Sequence, residues 1–338
     1  MVLPQVQFQI TERSEIGAAR RAAVELSESR GFDATQAGKV GLCVTEAATN
    51  IVKHAGNGRI VLRVLERRST TGLEVLALDR GPGIANLNAS LRDGMSTAGS
   101  PGTGLGAMTR LADTFEVYAP TGGGTVVRME IWAKPVQPAE LEFGVVCLPK
   151  SGETVSGDSW TYVTAKDSHS FLVADGLGHG PDAARASLAA TRVLEARPDA
   201  EPSETIHACH RALAATRGAA VAVAKISTDK GSFAAVGNIA CRVESGGTRR
   251  QLVSHNGTLG HMMRRVQQFD FPLPVGALLI FHSDGLATHW NLADYPGLAG
   301  RHPSIIAGVL YRDHERGRDD VTVLVVRNGT AGWPIAHE

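Results

Sequence analysis

The stretch FLVADGLGHGPDAARAS, Phe171 to Ser187, passes from an apolar run through a glycine-rich turn into a helical pattern. The apolar run ends on Asp175-Gly176, and Pro181 stands where a first helical turn tolerates proline. A carboxylate at a strand end, followed by bare backbone, is either an ordinary Asp-Gly turn or part of an oxygen-ligand site. Three further segments bear on that choice. SGDSW places Asp158 just before a strand that would pair with the first. LLIFHSDGL ends another apolar run on Asp284-Gly285, and RDDVTVLVV opens the last strand with Asp319 and Asp320. One aspartate at a strand end is commonplace, but here the placement recurs on four strands. If those ends converge, they make an oxygen-rich site for two Mg²⁺ or Mn²⁺ ions.

Working outward, WTYVTAKD and SHSFLVADG read as a hairpin, and Pro181–Ala196 and Ser203–Ala215 as helices. AAVAVAKIS, GSFAAVGNIACRVE and ALLIFHSDG read as strands, Pro303–Asp313 as a helix and DDVTVLVVRN as the final strand. Upstream, AKPVQPAELE has the prolines and polar residues of a linker. Before it, VQFQI reads as a strand, and Ser14–Ser29 and Thr35–Ala55 as helices. RIVLRVLE and LEVLALD are strands, Asn86–Pro101 is loop-like, GLGAMTRLAD is a helix, and TFEVYAP with GTVVRMEIW is a hairpin. This half is an α+β sandwich with helices on one face of a mixed sheet.

The first half carries a second constellation. In VTEAATNIVKHAG, Glu46, Asn50 and His54 are spaced i, i+4, i+8 and share a helix face. A Glu and an Asn one turn apart suit a water and a Mg²⁺ beside a triphosphate, although such residues also make solvated stripes. LALDRGPGIA puts Asp79 at a strand end, where it can accept from an exocyclic amine, with Gly81 and Gly83 letting backbone approach a ring. GSPGTGLGAMTRL sets Gly102, Gly104 and Gly106 before a helix, a place for phosphate. There is no G-x-x-x-x-G-K-[ST], so a P-loop is not indicated.

In this order the three segments resemble the ATP-binding domain shared by histidine kinases, gyrase and MutL, most of all the small anti-sigma-factor serine kinases of the RsbT and SpoIIAB kind. The resemblance spans roughly residues 5–133. It implies ATP with Mg²⁺, Glu46 as general base, Asn50 as Mg²⁺ ligand and Asp79 on adenine. It also implies a pocket shaped by Gly81 and Gly83, phosphates cradled by Gly102, Gly104, Leu105 and Gly106, and Thr125 near the base. His54 would line the site and not accept phosphate.

The aspartate set, over roughly residues 141–328, resembles the metal-dependent serine/threonine phosphatases of the SpoIIE, RsbU and RsbX branch. That implies Asp158, Asp175, Asp284 and Asp319 as ligands of two Mn²⁺ or Mg²⁺ ions, with the Gly176 carbonyl. Asp320 stands where relatives often have Asn. His179 is a candidate general acid, but a His in a glycine-rich turn is more often a turn residue.

The expected fold is therefore a two-domain α+β/α-β chain. An N-terminal GHKL (Bergerat) α/β sandwich spans 1–134, and a linker spans 135–141. A C-terminal PPM-type αββα sandwich spans 142–328, and a tail follows at 329–338. The expected function is an ATP-dependent serine/threonine kinase joined to a phosphoserine/phosphothreonine phosphatase. Its substrates would be STAS-domain, anti-anti-sigma-type regulators, with a sigma factor or a stressosome-like scaffold as further partners. Two alternatives stay open: a phosphatase whose first domain only senses nucleotide or binds a partner, and an anti-sigma binding protein. Composition agrees. Lys+Arg and Asp+Glu are 34 each in 338 residues, so no basic excess speaks for nucleic acid. No apolar run approaches the ~20 residues of a membrane span, and the N-terminus lacks a secretory pattern. Cys43, Cys147, Cys209 and Cys241 match no zinc spacing and read as reduced thiols of a cytoplasmic protein.

Overall fold

In the computed structural model, residues 5–67, 70–91, 104–137, 139, 141–165 and 168–329 are described. They fall into two compact units. One joins Leu3–Ala139 to Pro296–Arg312, and the other joins Glu140–Tyr295 to Asp313–Glu338. The range expected for the second domain, 142–328, is thus interrupted: 296–312 packs with the first unit.

The first unit begins with β1 (Val6–Ile10), α1 (Arg13–Glu28) and α2 (Ala34–Asn50). Glu12 and Glu15 close a reciprocal cap on α1, and the Asp33 side chain accepts from Gln36 N at 2.8 Å to start α2. A single helix to Ala55 was expected. Instead the chain widens after Asn50 into a π turn, Ile51–Ala55, which left-handed Gly56 ends. β2 (Gly58–Arg67), β3 (Thr70–Asp79), α3 (Leu87–Leu91), α4 (Gly104–Leu111), β4 (Thr114–Tyr118) and β5 (Thr125–Trp132) follow. α3 forms inside the expected loop Asn86–Pro101. Residues 92–103, Gly102 among them, lie outside the described residues.

The sheet runs β1-β2-β3-β5-β4, and every neighbouring pair is antiparallel. It is not the mixed sheet expected. Two residues separate β2 from β3 and six separate β4 from β5, too few for a parallel crossover. Side chains alternate across the sheet. Ile60, Leu62, Val75, Ala77, Val127 and Met129 pack against α1 and α2 in one core. The opposite face carries Arg63, Glu74, Arg128 and Glu130, yet all four are buried.

The second unit is a sandwich of two five-stranded sheets. Its elements begin with β6 (Glu142–Leu148), β7 (Asp158–Ala165), β8 (Ser168–Gly176), α5 (Pro181–Ala196), α6 (Pro202–Ala212), β9 (Ala219–Ile226) and β10 (Lys230–Val236). They continue with β11 (Ala240–Ser245), β12 (Thr248–Leu252), a small hairpin of β13 (Gly257–Thr258) and β14 (Met262–Met263), β15 (Phe269–Pro272) and β16 (Leu278–His282). α7 (Pro303–His314), which belongs to the first unit as far as Arg312, and β17 (Val321–Arg327), in the second, close the chain. The sheets are β15-β10-β9-β8-β7 and β12-β11-β16-β17-β6. Between them lie Trp160, Phe171, Phe233, Phe281 and Leu324. α5 and α6 cover the outer face of the first sheet through Ala186, Leu194, Ile206 and Cys209. The expected single strand GSFAAVGNIACRVE is two strands, one in each sheet. Gly237 breaks it at φ +107°, where an added Cβ would press on Ala220.

Candidate functional site

In the first unit, α2 presents Glu46 and Asn50 toward the start of α4. A Cβ added to Gly104 would stand 3.3 Å from Asn50 Oδ1 and 3.4 Å from Glu46 Oε2, so glycine lets the loop close on this pair. Leu105 packs against the core, and Gly106 is buried in α4. Asp79 ends β3 opposite Thr125 of β5, and its Oδ1 accepts from Gly81 N at 2.8 Å. Burial pushes its carboxyl up, against the pull of Gly81, Arg312 and Thr125. Gly81 lies against Ala55 of the π turn. Gly83 has φ +70°, and a side chain there would overlap the Pro120 carbonyl. Asp79, Gly81 and Thr125 are thus neighbours at the end of β3, and Gly81 and Gly83 let the following loop lie close against Ala55 and Pro120. His54 lies in the π turn, and burial holds it below the usual imidazole range.

In the second unit, Asp158 and Asp175 are direct partners across β7 and β8. Asp284 lies just past β16 and Asp319 just before β17, whose strands pair through His282 and Val323. Asp175, Asp284 and Asp319 line a cavity of about 400 Å³ with Asn238, Asn256 and Thr258. Asp158 is buried; its Oδ2 accepts from Ser283 Oγ at 2.6 Å, while its Oδ1 is buried with no hydrogen-bond partner. An orphaned carboxylate oxygen is costly unless a cation meets it. Burial, then Asp158, Asp284 and Asp319, push the Asp175 carboxyl up to about 9. Burial pushes Asp158 up to about 7, although the Ser283 hydroxyl donates to it. Among the described residues no group of three or more His, Cys, Asp or Glu side chains is drawn together closely enough to hold one ion. The donor set is all oxygen and strongly anionic, which fits hard divalent cations.

The remaining expected residues separate. Asp320 is turned to structural use: its two oxygens accept from Lys150 N at 2.8 Å and Gly157 N at 2.9 Å. Gly176 is the point where β8 meets α5, and any Cβ there would overlap the Ala183 carbonyl. His179 does not line the cavity; its Nδ1 pairs with Glu153 Oε1 at 2.7 Å. Sequence reasoning missed Asn238, whose Nδ2 donates to Asp284 Oδ2 at 2.7 Å, and Ser283 beneath Asp158. Asn238 sits in the break between β10 and β11. The glycine beside it was the available signal. The thiols of Cys43, Cys147 and Cys209 are pushed up to about 12 by burial, which leaves them unreactive, and all four cysteines are free.

Residues 10–131 match the histidine kinase-like ATPase domain, and residues 166–328 match stage II sporulation protein E (SpoIIE). Over 120 residues the chain is 32% identical to the serine/threonine-protein kinase RsbT of Bacillus subtilis, covering 36% of this chain and 90% of that protein. Over 143 residues it is 29% identical to the phosphoserine phosphatase RsbX of Bacillus subtilis, covering 41% of this chain and 71% of that protein. A solved structure from work on the bacterial stressosome, a modular system adapted to control secondary messenger signaling, superposes with a TM-score of 0.52 at 28% identity. It covers 56% of this chain and 100% of its own. No described helix is long and apolar enough to cross a membrane.

Proposed function

We propose, for a chain that belongs to the RsbT family of histidine kinase-like ATPases and joins that domain to a SpoIIE-type serine/threonine phosphatase domain, that its two units run opposed phosphoryl transfers on small signalling proteins. The observation that carries the phosphatase half is the buried, partnerless Asp158 Oδ1 beneath a cavity lined by Asp175, Asp284 and Asp319. Asp158, Asp175, Asp284, Asp319 and the Gly176 carbonyl would hold two Mn²⁺ or Mg²⁺ ions. Such ions supply a water of lowered pKa and neutralise phosphoryl charge. Ser283 orients Asp158, and Asn238 steadies Asp284. A cavity of this size suits a phosphorylated serine or threonine side chain.

For the kinase half, Glu46 would accept the proton of the attacking hydroxyl and Asn50 would hold Mg²⁺. Asp79 with Gly81, Gly83 and Thr125 would take adenine, and Gly102, Gly104, Leu105 and Gly106 the phosphates of ATP. Likeness to RsbT, RsbX and a stressosome-related structure supports STAS-domain regulators as substrates, with a sigma factor or a stressosome-like scaffold as further partners. The absence of a spanning helix among the described residues supports a cytoplasmic site of action.

The test is label transfer from γ-labelled ATP to a STAS-domain protein, followed by Mn²⁺-dependent release of that label. Glu46→Gln is expected to stop the first step and Asp175→Asn the second, each by about 10²-fold or more. Unchanged rates in these variants would overturn the assignments. A second reading makes the first unit a nucleotide sensor only. It is favoured by the Arg312 bond to the Asp79 carbonyl, and ATP binding without label transfer would select it.

A further inference from the structure

Every residue of α7 from Pro303 to Arg312 is buried. A helix that packs on one face alone would leave its other face wet. This segment packs with the first unit. Ser304 Oγ donates to Glu74 Oε1 at 2.6 Å, and Gly308 lies against Leu78 and Val126. Tyr311 Oη accepts from Arg59 Nη1 at 2.6 Å and donates to Gln7 Oε1 at 2.5 Å. At the helix end Arg312 Nη1 donates to the Asp79 carbonyl at 3.0 Å, and the Arg80 guanidinium donates to the Arg312 carbonyl. A Cβ on Gly124 would stand 2.6 Å from Arg312 Nη1, so glycine there makes room for the guanidinium. Arg312 therefore braces the backbone that carries the candidate adenine ligand.

The next residue belongs to the second unit. Tyr295 Oη donates to Asp313 Oδ2 at 3.1 Å and meets His314 Nε2 at 2.9 Å, pinching the base of the inserted segment. Ala287 N donates to His314 O, and Arg316 N to Gly285 O, each at 2.9 Å. Those bonds hold the chain just after Asp284, and Asp319 follows three residues beyond Arg316. α7 thus runs across the division between the units: Arg312 bonds the backbone of the nucleotide aspartate, and two residues on, His314 bonds Ala287, three residues after Asp284.

We infer that Arg312 is a positioning residue of the nucleotide site, and that through it adenine-nucleotide binding sets the rate of the phosphatase. A ligand that draws Asp79 into an adenine contact shifts its carbonyl, and with it the end of α7. By linkage, metal binding alters nucleotide affinity by the same factor by which nucleotide alters metal affinity. The inference rests on the proposed reading of both sites.

The experiment uses the full chain, with calorimetry of ADP binding beside Mn²⁺-dependent hydrolysis of p-nitrophenyl phosphate. Saturating ADP is expected to change the hydrolysis rate by about fivefold or more, the lower end of ordinary coupling. Arg312→Met, of similar length but without charge or donor, is expected to weaken ADP about tenfold and to abolish the ADP effect on hydrolysis. Arg312→Lys, which keeps both, recovers most of each. Equal rates with and without ADP, or Lys and Met variants that behave alike, overturn the inference while leaving both sites in place. Failure of the unaltered chain to bind ADP or to hydrolyse the ester overturns the reading of that one site, and the coupling falls with it.

Discussion

Asp158 and Asp175 face each other across β7 and β8, and Asp284 and Asp319 bring two more carboxylates to the neighbouring strand ends. Without a cation these charges repel, which is why burial and its neighbours push Asp175 so high. Asp175→Asn keeps the shape and removes the cost of keeping a buried carboxyl protonated among its neighbours. It is expected to stabilise the chelator-treated protein by about 0.5–2 kcal/mol, as function-for-stability exchanges do. Denaturant melts with and without chelator check this, and a destabilised variant in both would count against the cluster. The four aspartates were legible because each ends or opens an apolar run next to a glycine or a second aspartate. Their supports were not. Ser283 and Asn238 are ordinary residues until the fold places a hydroxyl under Asp158 and an amide beside Asp284. The role of Asp320 stayed open because sequence cannot show which way two adjacent carboxylates point; its own oxygens tie down the backbone of Lys150 and Gly157.

β3 shows the same limit for an element. LEVLALD is a short apolar run, so its strand was readable, but nothing in it reports where the Glu74 side chain goes. In the structure Glu74 is buried between Arg63 Nε at 2.9 Å and Arg128 Nε at 3.0 Å, with Glu130 opposite it on β5. Arg128 bridges both acids and relieves that like-charge pair. The cover that buries them lies far along the chain, in a helix whose placement no local pattern reports. Burial alone would raise the Glu74 carboxyl, but the two arginines and Ser304 hold it below the usual range. A depressed value means stability present above the ordinary carboxylate range and lost as pH falls through the folded value. Glu74→Gln is therefore expected to cost about 3–5 kcal/mol near neutrality, because two buried guanidiniums lose their counter-charge. The deficit should shrink on acidification, as the parent protonates. Urea melts across pH 3–7 read both, and a deficit that does not vary with pH would mean Glu74 is not charged in the folded protein.

At the scale of the molecule, the proline-containing stretch near residues 133–142 marked a change of domain in sequence, whereas the packing gives Pro296–Arg312 to the first unit. A chain of two independent beads would tolerate a cut there. This one should not, because Leu78, Val126, Glu74 and Arg128 would lose their cover. Burying a Leu or Ile side chain contributes roughly 1.5–3 kcal/mol, and Ile305, Ile306, Val309 and Leu310 are all fully enclosed. Residues 1–139 alone are thus expected to melt with at least about 3 kcal/mol less stability than the same residues carrying 296–314 on a glycine-serine tether. Equal melting curves for the two would show that the sheet face needs no helix.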